Sequence, residues 1–273
     1  MSKQQTILMM RMAGAKPKKR KRLIPIKYPF DLEITFAKHL RSIVLEFVRE
    51  VIKEMTPEIE PAIEEWKQKT GDAIIEREGY LIGRIDPRPE QRDIIEDDLI
   101  RISNRNKANI NRQMESALGI NPLVYEPKLE AVLQAFVVEN VDLIKSLNGE
   151  VLDKSTKIIK TGVTQGLSRG EISGQLQDLV GLGTRRANLI ARDQVGKFYG
   201  QLTKQRHKEI GIEEFIWTTA NDDKVRDSHE ILDGETFTWE KGADGIYPGS
   251  EIQCRCIAQA VLTDIIKEVE NDS

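Results

Sequence analysis

Apolar side chains recur at helical spacing along most of the chain. Phe36, Leu40, Ile43, Val44, Phe47 and Val51 fall on one face, with Arg41, Glu46, Arg49, Glu50 and Lys53 elsewhere. This predicts an amphipathic helix from an Asp31 N-cap to about Met55, ahead of Thr56-Pro57. A second helix is expected over 57–69, stopped at Gly71. Beyond Pro87 and Pro89, the series Ile94, Ile95, Leu99, Ile102, Ile110, Met114 and Leu118 predicts a long helix ended by Gly119. Its stretch from Ser103 to Asn109 is polar, so its middle is expected to face solvent or a partner. Leu129, Val132, Leu133, Phe136, Val137, Val141 and Ile144 predict a further helix, and 151–165 another.

From about residue 148 the texture changes. Ser168 with Glu171 three residues on is a capping box for a short helix to Leu179. Gly181-Leu182-Gly183 reads as a turn, after which Thr184 caps a long helix running to Ile210. Phe215, Trp217 and Thr219 alternate as a strand does, and Thr236 to Trp239 suggest a second strand, with Asp233-Gly234 as the turn of a hairpin. The two tryptophans are expected in the core. The fold class is therefore mainly α with an α+β C-terminal domain. Its parts are a flexible basic arm over 1–30, a helical region over 31–147, a C-terminal domain over 148–264, and an acidic tail over 265–273.

Composition agrees with helices: aromatic residues are only 5% and charged residues 31% of the 273. No apolar run reaches the length of a membrane span, and the cluster Ile7–Met10 is too short for a signal-peptide core. Two cysteines make a disulfide scaffold implausible. The chain reads as soluble and intracellular. Charge changes the picture more. The net charge of -3 conceals nine Lys and Arg and no acid within residues 1–30, which leaves 32 basic and 44 acidic residues in the body. The cluster Lys16, Lys18, Lys19, Arg20, Lys21 and Arg22 reads either as a solvated tail or as an electrostatic arm for nucleic acid.

Chemistry concentrates near the C-terminus. In order come Ala191-Arg192-Asp193-Gln194, Trp217-Thr218-Thr219, Asp222 to Arg226, His229, Asp233-Gly234, Pro248-Gly249 and Cys254-Arg255-Cys256. Cys254 and Cys256, two apart in an extended segment, project to one face; with His229 they form a set that zinc accepts, and Asp222, Asp223 or His207 is available as a fourth ligand. The same residues also suit a loop cap in which His229 and Asp222 hydrogen-bond while the thiols pack as small hydrophobes, or a disulfide. No motif places a carboxylate as general base, so hydrolysis is not the first expectation. Arg226 and Arg255 are expected to pair with Asp222, Asp223 or Asp233. The segment Gly181 to Ala187 also fits the short pattern of a helix-hairpin-helix, in which Arg185 and Arg186 would assist phosphate binding.

This ordered set, through residues 150–262, resembles the phage Mu F-like head morphogenesis family, the minor head proteins of tailed bacteriophages. The residues that carry it are Arg192, Trp217, Asp222, Arg226, His229, Asp233, Gly234, Cys254, Arg255 and Cys256. Asp193-Gln194 stands where Thr-Glu is usual, and the proline-rich stretch before the cysteines is reduced to Pro248-Gly249. The resemblance implies a non-enzymatic virion component that works with a portal, with major capsid or scaffold protein, and with packaged double-stranded DNA. Helices 31–55 and 88–118 are expected to offer their apolar stripes to portal or shell, and the arm to contact DNA. The rival readings are a metal-dependent nuclease or hydrolase and a helix-hairpin-helix DNA-binding protein.

Overall fold

A computed structural model describes residues 3–15, 23–68, 73–124 and 126–271. The cluster Lys16 to Arg22 lies outside them. The chain is 67% helical with one small antiparallel sheet, so the expected fold class stands. Its described residues cluster into two compact units. One comprises Ile34–Asp97 and Gln134–Ala191; the other comprises the residues up to Glu33, Asp98–Leu133, and those from Arg192 onward.

The first unit is all helical. α2 (Phe30–Met55) buries the predicted stripe completely: Phe36, Leu40, Val44 and Val51 have no exposed surface. Burying each such side chain contributes about 1.5–3 kcal/mol of transfer free energy. These side chains are core, as is Ile95 of α5 (Pro89–Leu118), whose Leu99, Ile102, Ile110, Met114 and Leu118 are buried in the other unit. The stripes expected to dock on a partner are thus occupied within the chain itself. Between them in the chain lie α3 (Ile59–Gln68) and α4 (Ala73–Ile82), the latter not expected from the sequence.

α6 (Leu129–Thr164) is one helix of 36 residues, so the domain boundary expected at 147/148 and the two helices expected on either side of it fall inside a single continuous element. α7 (Arg169–Gln177) carries the predicted capping box: the Glu171 N–H donates to Ser168 Oγ, and Glu171 accepts from the Ser168 N–H at 2.8 Å. α8 (Leu179–Glu209) begins five residues before the expected cap. Gly181-Leu182-Gly183 is helical, not a turn, and the Thr184 hydroxyl donates back to the Val180 carbonyl. The glycine is explained by packing: a Cβ on Gly183 would press on Val44 and Val48 of α2 at 3.1 and 3.2 Å.

The second unit contains the sheet. β1 (Glu214–Thr218) lies between β2 (Thr236–Thr238) and β3 (Ile257–Ala260), antiparallel to both. β1 alternates buried and half-buried residues, which is why it was legible. β3 is buried at all four positions and shows only an apolar run. The β1–β2 connection is no two-residue hairpin. It spans 219–235 and includes the short helix α9 (Asp227–Glu230); Asp233 closes its base by accepting from the Thr219 N–H at 2.7 Å and its hydroxyl at 3.1 Å.

The ends of the expected flexible arm are structured. α1 (Lys3–Met12) buries Thr6, Ile7 and Met10, and the Thr6 hydroxyl donates to the Ile210 carbonyl at 2.9 Å. Lys3 pairs with Glu268 of α10 (Thr263–Asn271), which replaces the expected acidic tail with a helix that buries Ile265 and Val269. Further on, Ile26 and Gln259 exchange hydrogen bonds of 2.9 and 2.7 Å.

Within the polar middle of α5, Ser103 and Asn106 are buried while Asn104 and Arg105 are exposed. Arg206 of α8, 1% exposed, donates to the Ser103 carbonyl and Oγ, to Asn106 Oδ1, and to Glu126 at 2.5–2.9 Å. Burial pushes the Glu126 carboxyl upward, but hydrogen bonds from Arg206 and Lys107 outweigh it and hold it below the usual carboxylate range. A helix can bury polar side chains when a guanidinium's fixed fork of donors meets several acceptors, here four.

Candidate functional site

The site is assembled on the far end of α8 and the edge of the sheet. Gly196 and Gly200, one helical turn apart, leave α8 bare, and the loop before β3 lies on it. A Cβ at Gly196 would overlap the Cys254 carbonyl, and one at Gly200 the Pro248 carbonyl. Asp193, on the same face, accepts from the Gln253 N–H at 2.9 Å, and Gln253 takes a left-handed φ of 58°. This is the work of Asp193. It fixes the backbone immediately ahead of Cys254.

Cys254 and Cys256 then flank Arg255 in an extended segment, so both thiols point into the second unit's small core with Phe215, Trp217, Trp239 and Ala258. His229 comes from α9 and lies edge-on to Trp217, with ring centroids 5.3 Å apart. Its Nδ1 is 3.6 Å from Cys254 Sγ and 3.5 Å from Cys256 Sγ, and the three ligand atoms lie within 4.8 Å of one another. On the other side of the ring, Nε2 is 2.7 Å from Glu251, which Arg226 also holds at 2.8 Å. With the carboxylate accepting from Nε2–H, Nδ1 turns its lone pair toward the sulfurs.

The two thiols are electrostatically unequal. Cys254 accepts from Cys256 and from the backbone N–H groups of Cys256 and Gly249, both at 3.4 Å. The side-chain bond from Cys256, with these backbone donors and against the effect of burial, lowers the Cys254 thiol to about 6. Hydrogen bonding to Cys254 and burial push the Cys256 thiol upward.

Beside the cluster opens a cavity of about 330 Å³, lined by the two cysteines, His229 and four cations: Arg192, Lys224, Arg226 and Arg255. Asp222 lines it too but stands apart from the Cys-Cys-His group among the described residues. Its carboxylate accepts from Arg255 at 3.2 Å and caps its own turn through the Lys224 N–H. The expected Arg255–Asp222 pair is therefore present, whereas Arg226 pairs with Glu251 and the Ile252 carbonyl rather than with an aspartate. Arg255 is held chiefly by Glu33, at 2.5 and 2.9 Å, a residue 222 positions away. Arg192 Nε is buried without a partner.

His207, weighed as a fourth ligand, is fully buried elsewhere, edge-on to Trp239, and burial lowers its pKa to about 3. Trp217 and Trp239 are core, 0 and 2% exposed. Glu251, Glu33 and the two helix glycines were not singled out from sequence. Glu251 sits in an aperiodic loop and Glu33 in an ordinary first helical turn, so neither carries a local signal. The Gly196-x-x-x-Gly200 spacing did offer one. At the hairpin candidate, the N–H groups of Gly181 and Leu182 are bonded to the Asp178 carbonyl, and Arg186 faces Glu150 at 3.4 Å, which leaves no glycine-turn nest for a phosphate there.

Residues 154–259, which contain this whole constellation except Glu33, match the family model described as Phage Mu protein F like protein. An uncharacterized protein of Haemophilus influenzae (strain ATCC 51907 / DSM 11121 / KW20 / Rd) is 32% identical over 171 residues, covering 61% of this chain and 38% of that protein. The chain thus spans well under half the length of that relative. No solved structure matches the chain.

Proposed function

Residues 154–259 belong to the phage Mu protein F-like family, and from that premise we propose that this chain is a minor head protein of a tailed bacteriophage, placed at the portal and acting in head assembly. The observation that carries the reading is that the matched residues build an internal framework. Trp217 and the cysteines pack a core, Asp233 closes a loop, and Arg255 and Arg226 are both engaged by carboxylates. The carboxylates nearest the cluster, Asp222 and Glu251, are held in ion pairs, which supports a structural rather than a hydrolytic role. No helix among the described residues is long and apolar enough to cross a membrane.

In this reading the chain resides in the virion, against portal and shell proteins, and reaches packaged DNA through Lys16 to Arg22. Six such charges, if each meets a phosphate, give a log–log salt slope of about -5. The test of the head role is mass spectrometry of gradient-purified heads from the phage or prophage that encodes the chain. It should be present there in far fewer copies than the major shell protein; its absence from heads, with the protein present in the lysate, overturns the reading. For the DNA contact, deletion of residues 16–22 should abolish salt-sensitive binding. Loss only in Arg185→Glu/Arg186→Glu would overturn the arm.

A further inference from the structure

We propose that Cys254, Cys256 and His229 hold one zinc ion, with the fourth coordination position open to the adjoining cavity and filled by water or a small anion. The inference is independent of the head-protein reading, since a zinc site can stand or fall whatever the chain assembles with.

The geometry argues for a metal more than for a packed pair of thiols. Zinc bonds of about 2.3 Å to sulfur and about 2.0–2.1 Å to nitrogen at tetrahedral angles put a sulfur and a nitrogen ligand about 3.6 Å apart. Here the two S···N separations are 3.5 and 3.6 Å and all three ligand atoms lie within 4.8 Å of one another, so both sulfur–nitrogen spans already match those of a zinc site. Each ligand also has the support that metal ligands receive. His229 donates its distal nitrogen to Glu251, the carboxylate–histidine arrangement that fixes ring orientation and strengthens the other nitrogen as a donor. Cys254 accepts two backbone N–H groups, which spread negative charge on a sulfur. A disulfide would have to close between residues separated by a single position, an arrangement for which nothing else here prepares the chain.

Three protein ligands leave one position. All three residues line the same cavity, and its other walls bring Arg192, Lys224 and Arg255, with the Arg192 Nε unpartnered. A cationic wall beside a divalent ion favours an anion or a polarised water there, and Asp222 is withheld by Arg255.

The decisive measurement is elemental analysis of the full chain, purified without a polyhistidine tag and under reducing conditions, followed by cobalt substitution. One zinc per chain is expected, and the cobalt form should show sulfur-to-metal charge transfer with tetrahedral visible bands that shift on adding thiocyanate. Cys254→Ser and Cys256→Ser should each abolish binding. Because either change can unfold the loop, Glu251→Gln is the informative variant: it leaves all three ligands and should weaken zinc by about 10–100-fold. Asp222→Asn should retain one zinc. The proposal is overturned by less than a tenth of an equivalent of zinc in chain whose two thiols titrate freely, or by a Cys254–Cys256 disulfide in anaerobically prepared protein. Loss of zinc in Asp222→Asn, or visible bands indifferent to thiocyanate, would overturn the open position.

Discussion

The two units of this protein are held together in different ways. In the helical unit the core is almost entirely apolar, and the arginines sit outside: Arg77, Arg84 and Arg88 pair with Glu58, Glu50 and Glu46 on an exposed surface. In the sheet-containing unit Arg206, Asn106, Gln113, Gln259, His229 and two thiols are buried, each bound to residues far away in sequence, and His207 is buried against Trp239. Exposed pairs contribute little because water and salt screen them. A buried pair is costly to break, since the surviving partner loses both water and its counter-charge. The same residue types thus carry very different weight in the two units.

Arg206→Ala should produce the largest effect. Leaving Glu126 buried with only Lys107 should cost about 3–5 kcal/mol in urea unfolding of the full chain, and Arg206→Met/Glu126→Leu should recover at least half of that. A loss below about 1 kcal/mol in Arg206→Ala would dissolve the contrast between the units. Leu40→Ala tests the apolar side and should cost about 2–5 kcal/mol, with hydrogen-exchange protection falling within 34–97 and 134–191.

Acid sensitivity sharpens the contrast further. His207 stays neutral when folded down to about pH 3, whereas it takes up a proton near 6.5 when unfolded. Stability from this residue is therefore full above pH 6.5 and declines as pH falls toward 3. The slope is at most about 1.4 kcal/mol per pH unit. His207→Phe should flatten the stability profile in that window and leave it unchanged above pH 7. Thr6→Val, which removes the hydrogen bond to Ile210, should cost about 1 kcal/mol if α1 is part of the second unit's fold; no change would mean that α1 contributes nothing there. The smallest effect belongs to Arg88→Ala, whose unfolding midpoint should be indistinguishable from that of the unmodified chain.

Legibility followed the same division. The stripe of α2, the capping box at Ser168 and the alternation of β1 were readable because each depends on neighbours within a few residues. The polar segment Ser103 to Asn109, expected to face solvent or a partner, does so at Asn104 and Arg105, whereas Ser103 and Asn106 are buried against Arg206, Tyr199 and Thr203, about a hundred positions away. The glycines at 181 and 183 looked like a turn, and close packing on Val44 and Val48 explains Gly183 better. At the site, Cys254, Cys256 and His229 were visible as a chemical set, while Asp222 proved to belong to Arg255 and Glu251 to His229.

The sequence by itself determined the helical class, the local caps and the identity of the soft ligands, because these depend on residue type and short-range periodicity. Tertiary structure alone decided which carboxylate meets which cation, that the ends of the basic arm are packed, and that two thiols and an imidazole converge beside a cationic cavity. The physical reason is range. A hydrogen bond or an ion pair is decided by separations of a few ångströms in space, and chain positions 33 and 255, or 103 and 206, acquire those separations only when the helices have packed.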